Sequence, residues 1–192
     1  LETAHQRLKQ EVLLASRIQR DLLVSERELA ALTPGLETGA VMVPSKEVGG
    51  DLYDCIALGG DRFLLCIGDV AGKGMPAALL MSTCLSLLRS YAEVFDSPAA
   101  IVRRLNQRLC HNNPDCAFTT LLVAVLDLRS GELRWCNAGH TPMLLLRRGE
   151  IPVPQRLVHG PALGVVEGCT YGESQLTLAE GDALLLYTDG VI

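Results

Sequence analysis

The chain has 192 residues, with 17 basic and 22 acidic side chains, a net charge of −5, 48% hydrophobic residues and a mean hydropathy of +0.25. That apolar content excludes a disordered chain and suffices for one core, so a single domain is the default. The acidic balance excludes a broad nucleic-acid footprint, which needs Lys and Arg clustered against phosphate.

No apolar run approaches the roughly 20 residues of a membrane span, and residues 1–21 are too charged for a secretory signal. A soluble, cytoplasmic protein without a membrane span is expected. The seven cysteines are scattered, odd in number and without a C-x-x-C pair, and most lie in apolar stretches such as LLCI. They read as reduced core thiols rather than a zinc site or a disulfide framework.

Residues 1–32 contain no Gly or Pro, and Leu8, Val12, Ala15, Ile18 and Leu22 recur three or four positions apart, which predicts a helix. Arg7, Lys9, Arg17 and Arg20 take its other side, so the helix either lies on the domain or pairs with a second copy. TPGLETG (33–39) is a loop by its Pro and Gly content, dividing a linker helix, 1–32, from a body, 40–192. Strands are predicted at 40–43, 51–58 and 62–70, the last two joined by a short GGD turn suited to a hairpin.

After GKG a long helix has Pro76 in its first turn and Met81, Leu85, Leu88, Ala92 and Phe95 along one side. Asp96 and Ser97 cap a second helix, whose Ile101, Leu105 and Leu109 recur every four residues and whose Arg103, Arg104, Gln107 and Arg108 form a wet face. Residues 118–128 and 133–137 then form a hairpin through RSGE, and short strands follow at 143–147, around Leu157, at 175–178 and at 183–187. Strands, two helices, then strands predict an α+β fold with helices packed on sheet faces.

Three acidic residues share one kind of position: Asp51 in GGD, Asp69 in IGDVAG and Asp189 in LLLYTDGV. Asp69 and Asp189 end apolar runs beside glycine, where an ionised carboxylate is costly unless paired or metal-bound. Hard divalent cations take oxygen ligands, and Asp residues at strand ends offer them on a rigid scaffold. The alternative is that each Asp only caps a turn, since Asp-Gly is ordinary turn chemistry. GDVAGKGMP is not a P-loop, because Lys73 is followed by Gly74 and no glycine stands five before Gly72. His140 in NAGH reads first as a turn residue and second as a catalytic one.

In this order the stretches ASRIQRDLL (15–23), VPSKEVGGDLYD (43–54), FLLCIGDVAGKGMPAALLMS (63–82), FTTLLVAVLD (118–127), WCNAGHTPMLLL (135–146), GPALGV (160–165) and GDALLLYTDGVI (181–192) cover nearly the whole chain. The sequence resembles the bacterial PPM-type, protein phosphatase 2C-like serine/threonine phosphatases of the SpoIIE and RsbU branch. The resemblance implies a layered α-β-β-α sandwich of mainly antiparallel sheets, with two Mn²⁺ or Mg²⁺ ions at one end. It assigns Asp51 to one ion, Asp69 to both, the Val70 carbonyl as a further ligand, and Asp189 to the other ion. A two-metal-activated water would then hydrolyse phosphoserine or phosphothreonine without a covalent intermediate.

The family's usual substrates are phosphorylated STAS-domain antagonists of anti-sigma factors, and its N-terminal helix commonly joins two copies and links to an upstream sensor or receiver. The resemblance therefore implies a homodimer and a helix that regulates the metal-site loops. The family pattern continues beyond TDGV with another ligand Asp, which implies a domain incomplete at its C-terminus. A catalytically weak module binding the same partner is the alternative, and a nucleotide-cleaving two-metal enzyme a more distant one.

Overall fold

The computed structural model describes residues 2–43, 47–111 and 113–191, leaving aside the side chains of residues 2–5. The predicted N-terminal helix is two helices, α1 (Glu2–Leu22) and α2 (Glu26–Leu32). Ser25 divides them: its hydroxyl accepts from the Glu28 N–H at 3.3 Å while the Glu28 carboxylate accepts from the Ser25 N–H at 2.9 Å. This reciprocal capping satisfies two donors at a helix start, so it begins a new helix where apolar spacing alone would continue the old one.

The main sheet contains β1 (Leu52–Gly59), β2 (Arg62–Val70), β3 (Thr119–Asp127), β4 (Glu132–Ala138) and, numbered in chain order, β7 (Ser174–Thr177). Its strands run in the order β1-β2-β3-β4-β7, every ladder antiparallel. A smaller antiparallel sheet has the order β6-β5-β8, with β5 at Leu144–Leu146, β6 at Val153–Pro154 and β8 at Ala183–Leu185.

Helices α3 (Met75–Ala92) and α4 (Pro98–Cys110) cover one face of the main sheet. There Leu64, Cys66, Leu121, Val123 and Cys136 meet Met81, Leu85, Leu88, Ile101 and Leu105 in one buried cluster. On the opposite face Leu122, Ala124, Leu126, Leu133 and Trp135 pack with Met143 and the partly buried Leu184 and Leu186, joining the two sheets. α2 extends this layer, setting Leu29 against Cys55 and Phe63. Burial on both faces explains why β3 reads as an unbroken apolar run rather than an alternating one. The fold is thus α+β, layered and antiparallel, as the sequence predicts.

Two predicted strands are absent among the described residues. Residues 40–43 form no ladder, and Val41 and Val43 are 86% and 85% exposed, so β-propensity there has no partner edge to act on. Leu157 is exposed and lies outside any strand; the small sheet instead takes Val153–Pro154. Helix α3 stops at Ala92, before Phe95, which packs edge-on against Tyr91.

Candidate active site

Asp51 leads into β1 and Asp69 is the penultimate residue of β2. The β1–β2 register pairs Leu52 with Gly68, so an antiparallel hairpin carries the two carboxylates to the same end of the sheet. Their approach depends on glycine. A Cβ on Gly50 would stand 2.6 Å from the Val70 carbonyl oxygen and 3.1 Å from Asp69 Oδ1, while one on Gly68 would stand 2.6 Å from the Thr120 carbonyl oxygen. Only residues without side chains let these backbones close so tightly.

The Val70 N–H donates to the Gly50 carbonyl at 3.3 Å, and the next N–H, of Ala71, to the Phe118 carbonyl at 2.9 Å. The end of β2 is therefore pinned from both sides. Beyond it, Gly72 and Gly74 take φ of +106° and +76° and turn the chain into α3. Asp189 opens a short 3-10 turn, Asp189–Val191, that follows β8.

Asp51 and Asp69 both lie within reach of the charge of Asp189, and Asp69 within reach of that of Asp51. Burial first, then the charges of Asp51 and Asp189, push the Asp69 carboxyl up to about 6. Asp51 is raised mainly by burial, with the Thr188 hydroxyl pulling the other way and Asp189 adding to the rise. Anions crowded at the edge of a low-dielectric core call for a cation. The donors are all hard oxygens, carboxylates plus the Val70 carbonyl, which suits Mg²⁺ or Mn²⁺. As placed, however, no three His, Cys, Asp or Glu side chains among the described residues close into a coordination cluster. The donor chemistry fits, and the shell stays open.

Comparison with known proteins gives the same direction. Residues 59–192 match the family described as Stage II sporulation protein E (SpoIIE). The chain belongs to the SpoIIE family. Among curated SpoIIE-type relatives it is 32% identical over 182 residues to Protein IcfG of Synechocystis, covering 81% of this chain and 28% of that protein. It is 28% identical over 191 residues to phosphoserine phosphatase RsbU of Bacillus subtilis, covering all of this chain and 56% of RsbU. The chain thus spans about half or less of the length of these relatives. In fold it matches the SiaA-PP2C domain of Pseudomonas aeruginosa with a TM-score of 0.78 at 23% identity, over 96% of this chain and 72% of that one. The two chains share one architecture.

Several residues around the three aspartates escape sequence reasoning. Gln19, which belongs to no apolar stripe, is buried and bonds Gly49 with both ends of its amide, donating to the carbonyl at 2.7 Å and accepting from the N–H at 3.1 Å. Asp54, in the same GGDLYD stretch as Asp51, is buried against Arg89 at 2.7 Å. His140 is buried beside the end of β2, its Nδ1 2.8 Å from Thr120 Oγ1. Burial holds its pKa down to about 4, against smaller opposing effects of the Tyr187 carbonyl and Asp189. Only the quoted stretches ASRIQRDLL, VGGDLYD and NAGH mark these positions in sequence.

Of the two arrangements open to α1, the apolar stripe does not lie on the domain throughout. Ser16, Gln19 and Leu23 are buried, while Leu8 and Ile18 of the predicted stripe are 59% and 56% exposed.

Proposed function

We propose that the protein is a metal-dependent serine/threonine protein phosphatase of a bacterial signalling pathway, acting in the cytoplasm on a phosphorylated STAS-domain antagonist of an anti-sigma factor. The observation that carries this reading is the gathering of Asp51, Asp69 and Asp189 within electrostatic reach at one end of the sheet, with the Asp69 carboxyl raised to about 6. Asp51, Asp69, the Val70 carbonyl and Asp189 would hold two Mn²⁺ or Mg²⁺ ions. Such ions, when bound, neutralise developing charge and activate water for in-line phosphoryl transfer.

The chain's own part is placement. The hairpin fixes Asp51 against Asp69, Gly50 keeps the approach free of side chains, and the paired end of β2 holds the Val70 carbonyl in register. Rigid strand ends keep these oxygens oriented, which is what positioning catalysis requires.

Residues 1–32 serve as a regulatory and dimerisation linker and 40–192 as the phosphatase domain. Leu8, Leu14 and Ile18 of α1 lie on exposed faces, which supports pairing with a second copy or coupling to an upstream sensor or receiver. Gln19 supports control of the site by this helix, because it grips the glycine two positions before Asp51. A second reading, a weakly catalytic module that binds the same partner, draws on the open arrangement of the carboxylates.

The test is phosphate release from a phosphoserine STAS-domain protein, with and without Mn²⁺, by the unmodified chain and by Asp69→Asn. Mn²⁺-dependent release that Asp69→Asn abolishes is expected. Partner binding without metal-dependent release from a folded preparation selects the second reading.

A further inference from the structure

His140 has one nitrogen accounted for and one not. Nδ1 lies 2.8 Å from Thr120 Oγ1, whereas Nε2 is sealed from solvent and has no hydrogen-bond partner among the described residues. The residue as a whole is 6% exposed. A buried polar atom without a partner costs about 1–3 kcal/mol, so one retained beside the end of β2 needs an explanation.

The surroundings supply it. Thr120 stands opposite Asp69 in the β2–β3 register, and its hydroxyl is 3.3 Å from the Asp69 carbonyl oxygen. That hydroxyl has a single proton, and the shorter of its two contacts is the one to the ring. Assigning that proton to Nδ1, in place of the longer bond to the Asp69 carbonyl, leaves the proton of the neutral ring on Nε2, and the nearby Tyr187 carbonyl, which can only accept, favours the same tautomer. The ring is held rigidly behind it: the His140 N–H donates to Asn137 Oδ1 at 2.7 Å, and Asn137 Nδ2 donates back to the His140 carbonyl at 3.0 Å. The neighbouring Thr141 hydroxyl already donates to the Tyr187 carbonyl. The turn at 137–141 thus faces the stretch that delivers Asp189 with one donor engaged and one in reserve.

We propose that His140 is a positioning residue of the phosphatase site, whose Nε2–H takes an oxygen of the Tyr187–Asp189 stretch and so ties Asp189 to the strand end that carries Asp69. The inference rests on the metal-dependent reading above. A carboxylate ligand keeps its geometry only when its own surroundings are hydrogen-bonded, and loss of such a partner typically costs 10–100-fold in metal affinity.

His140→Phe keeps the ring's bulk and removes both nitrogens, while His140→Gln restores an amide donor near Nε2. Three measurements on the folded proteins test the tie: hydrogen exchange of the amides at 187–190 in chelator, Mn²⁺ affinity by calorimetry, and kcat and KM on a phosphoserine peptide. His140→Phe is expected to speed exchange at 187–190, weaken Mn²⁺ binding at least tenfold and lower kcat with little change in KM, and His140→Gln to recover most of each. Exchange at 187–190 that His140→Phe leaves unchanged overturns the proposal, as does a defect of equal size in His140→Gln. Absence of Mn²⁺ binding by the unmodified protein would instead count against the metal-dependent reading, leaving the exchange measurement to decide the tie. Where His140→Phe does not fold, Thr120→Val, which frees the ring without removing it, is expected to speed the same exchange, and unchanged exchange overturns the proposal.

Discussion

Gln19 of α1 and Gly49, two residues before Asp51, are joined by both polar ends of one side-chain amide, at 2.7 and 3.1 Å. A helix that grips backbone in this way transmits its own rotation or displacement to the glycine loop, and Asp51 follows that loop directly. The two bonds are partly buried, so each contributes about 1 kcal/mol. Gln19→Ala is expected to raise the Mn²⁺ concentration needed for half-maximal phosphatase activity severalfold, with a stability loss of about 1–2 kcal/mol. Gln19→Glu keeps the acceptor but sets a buried carboxylate oxygen against the Gly49 carbonyl, and should lose at least as much. An unchanged Mn²⁺ dependence in Gln19→Ala removes the proposed control by the helix.

Arg89 makes a second tie between the linker and the sheet. Its Nε donates to the buried Asp54 at 2.7 Å and its Nη2 to the Leu22 carbonyl, at the last residue of α1, also at 2.7 Å. Asp54 has a side chain only 3% exposed against 41% for Arg89, so truncating the arginine strands the carboxylate. Breaking a fully buried pair costs 3–5 kcal/mol, and the half-open arginine lowers the expected loss for Arg89→Met to about 2–3 kcal/mol. The double substitution Asp54→Asn with Arg89→Met should recover part of it in urea unfolding. Additive losses would mean that the two side chains are not coupled.

These two ties bear on what the sequence discloses. Periodicity located α1, α3 and α4 because their apolar positions repeat with the helix, and it located the hairpins because turn residues separate apolar runs. It left open which face of α1 turns inward, and the buried positions Ser16 and Gln19 are polar, Gln19 facing inward for hydrogen bonding rather than for apolar burial. The break at Ser25 was legible in principle, since S-x-x-E is a capping signature, but the apolar stripe runs up to it and masked it. The aspartates stood out because a carboxylate ending an apolar run is anomalous by itself. Their supports Gln19, Asp54, Thr120 and His140 have ordinary local sequences, and only tertiary pairing with residues 20 to 51 positions away gives them a role.

The pH dependence of stability has a clear contributor in His159. The Asn137 N–H donates to its Nδ1 at 3.0 Å, and its Nε2 lies 2.7 Å from Ser174 Oγ, an arrangement that needs an unprotonated Nδ1. Burial lowers its pKa below the ordinary value, with Glu173 opposing. A histidine depressed in the folded state binds its proton more readily when unfolded, so its contribution is complete above the unfolded pKa of about 6.5 and declines as pH falls below that. His159→Gln should therefore be less stable than the unmodified chain at pH 7.5, with the gap narrowing at pH 5.5. A gap that widens on acidification contradicts the assignment.

Gly50→Ala adds a single methyl group at the most confined point of the site. Its Cβ would lie 2.6 Å from the Val70 carbonyl oxygen and 3.1 Å from Asp69 Oδ1, and the nearer atom is backbone held in a strand. The chain entering β1 must therefore retreat, taking Asp51 away from Asp69 and lengthening the 3.3 Å bond from the Val70 N–H to the Gly50 carbonyl. Overpacking of this kind costs about 1–3 kcal/mol, an amount a folded domain tolerates. Activity is more sensitive, since a 1 Å displacement of catalytic groups can cost about 100-fold. The expected outcome is a folded Gly50→Ala protein whose phosphate release falls at least tenfold and whose Mn²⁺ affinity weakens alongside it. Gly60→Ala, at a turn where φ is +61° and no atom lies within 4 Å of the added Cβ, supplies the control, because it strains the backbone without touching the carboxylates. Equal losses of phosphate release in the two variants would show that general destabilisation, rather than the spacing of Asp51 from Asp69, sets the rate.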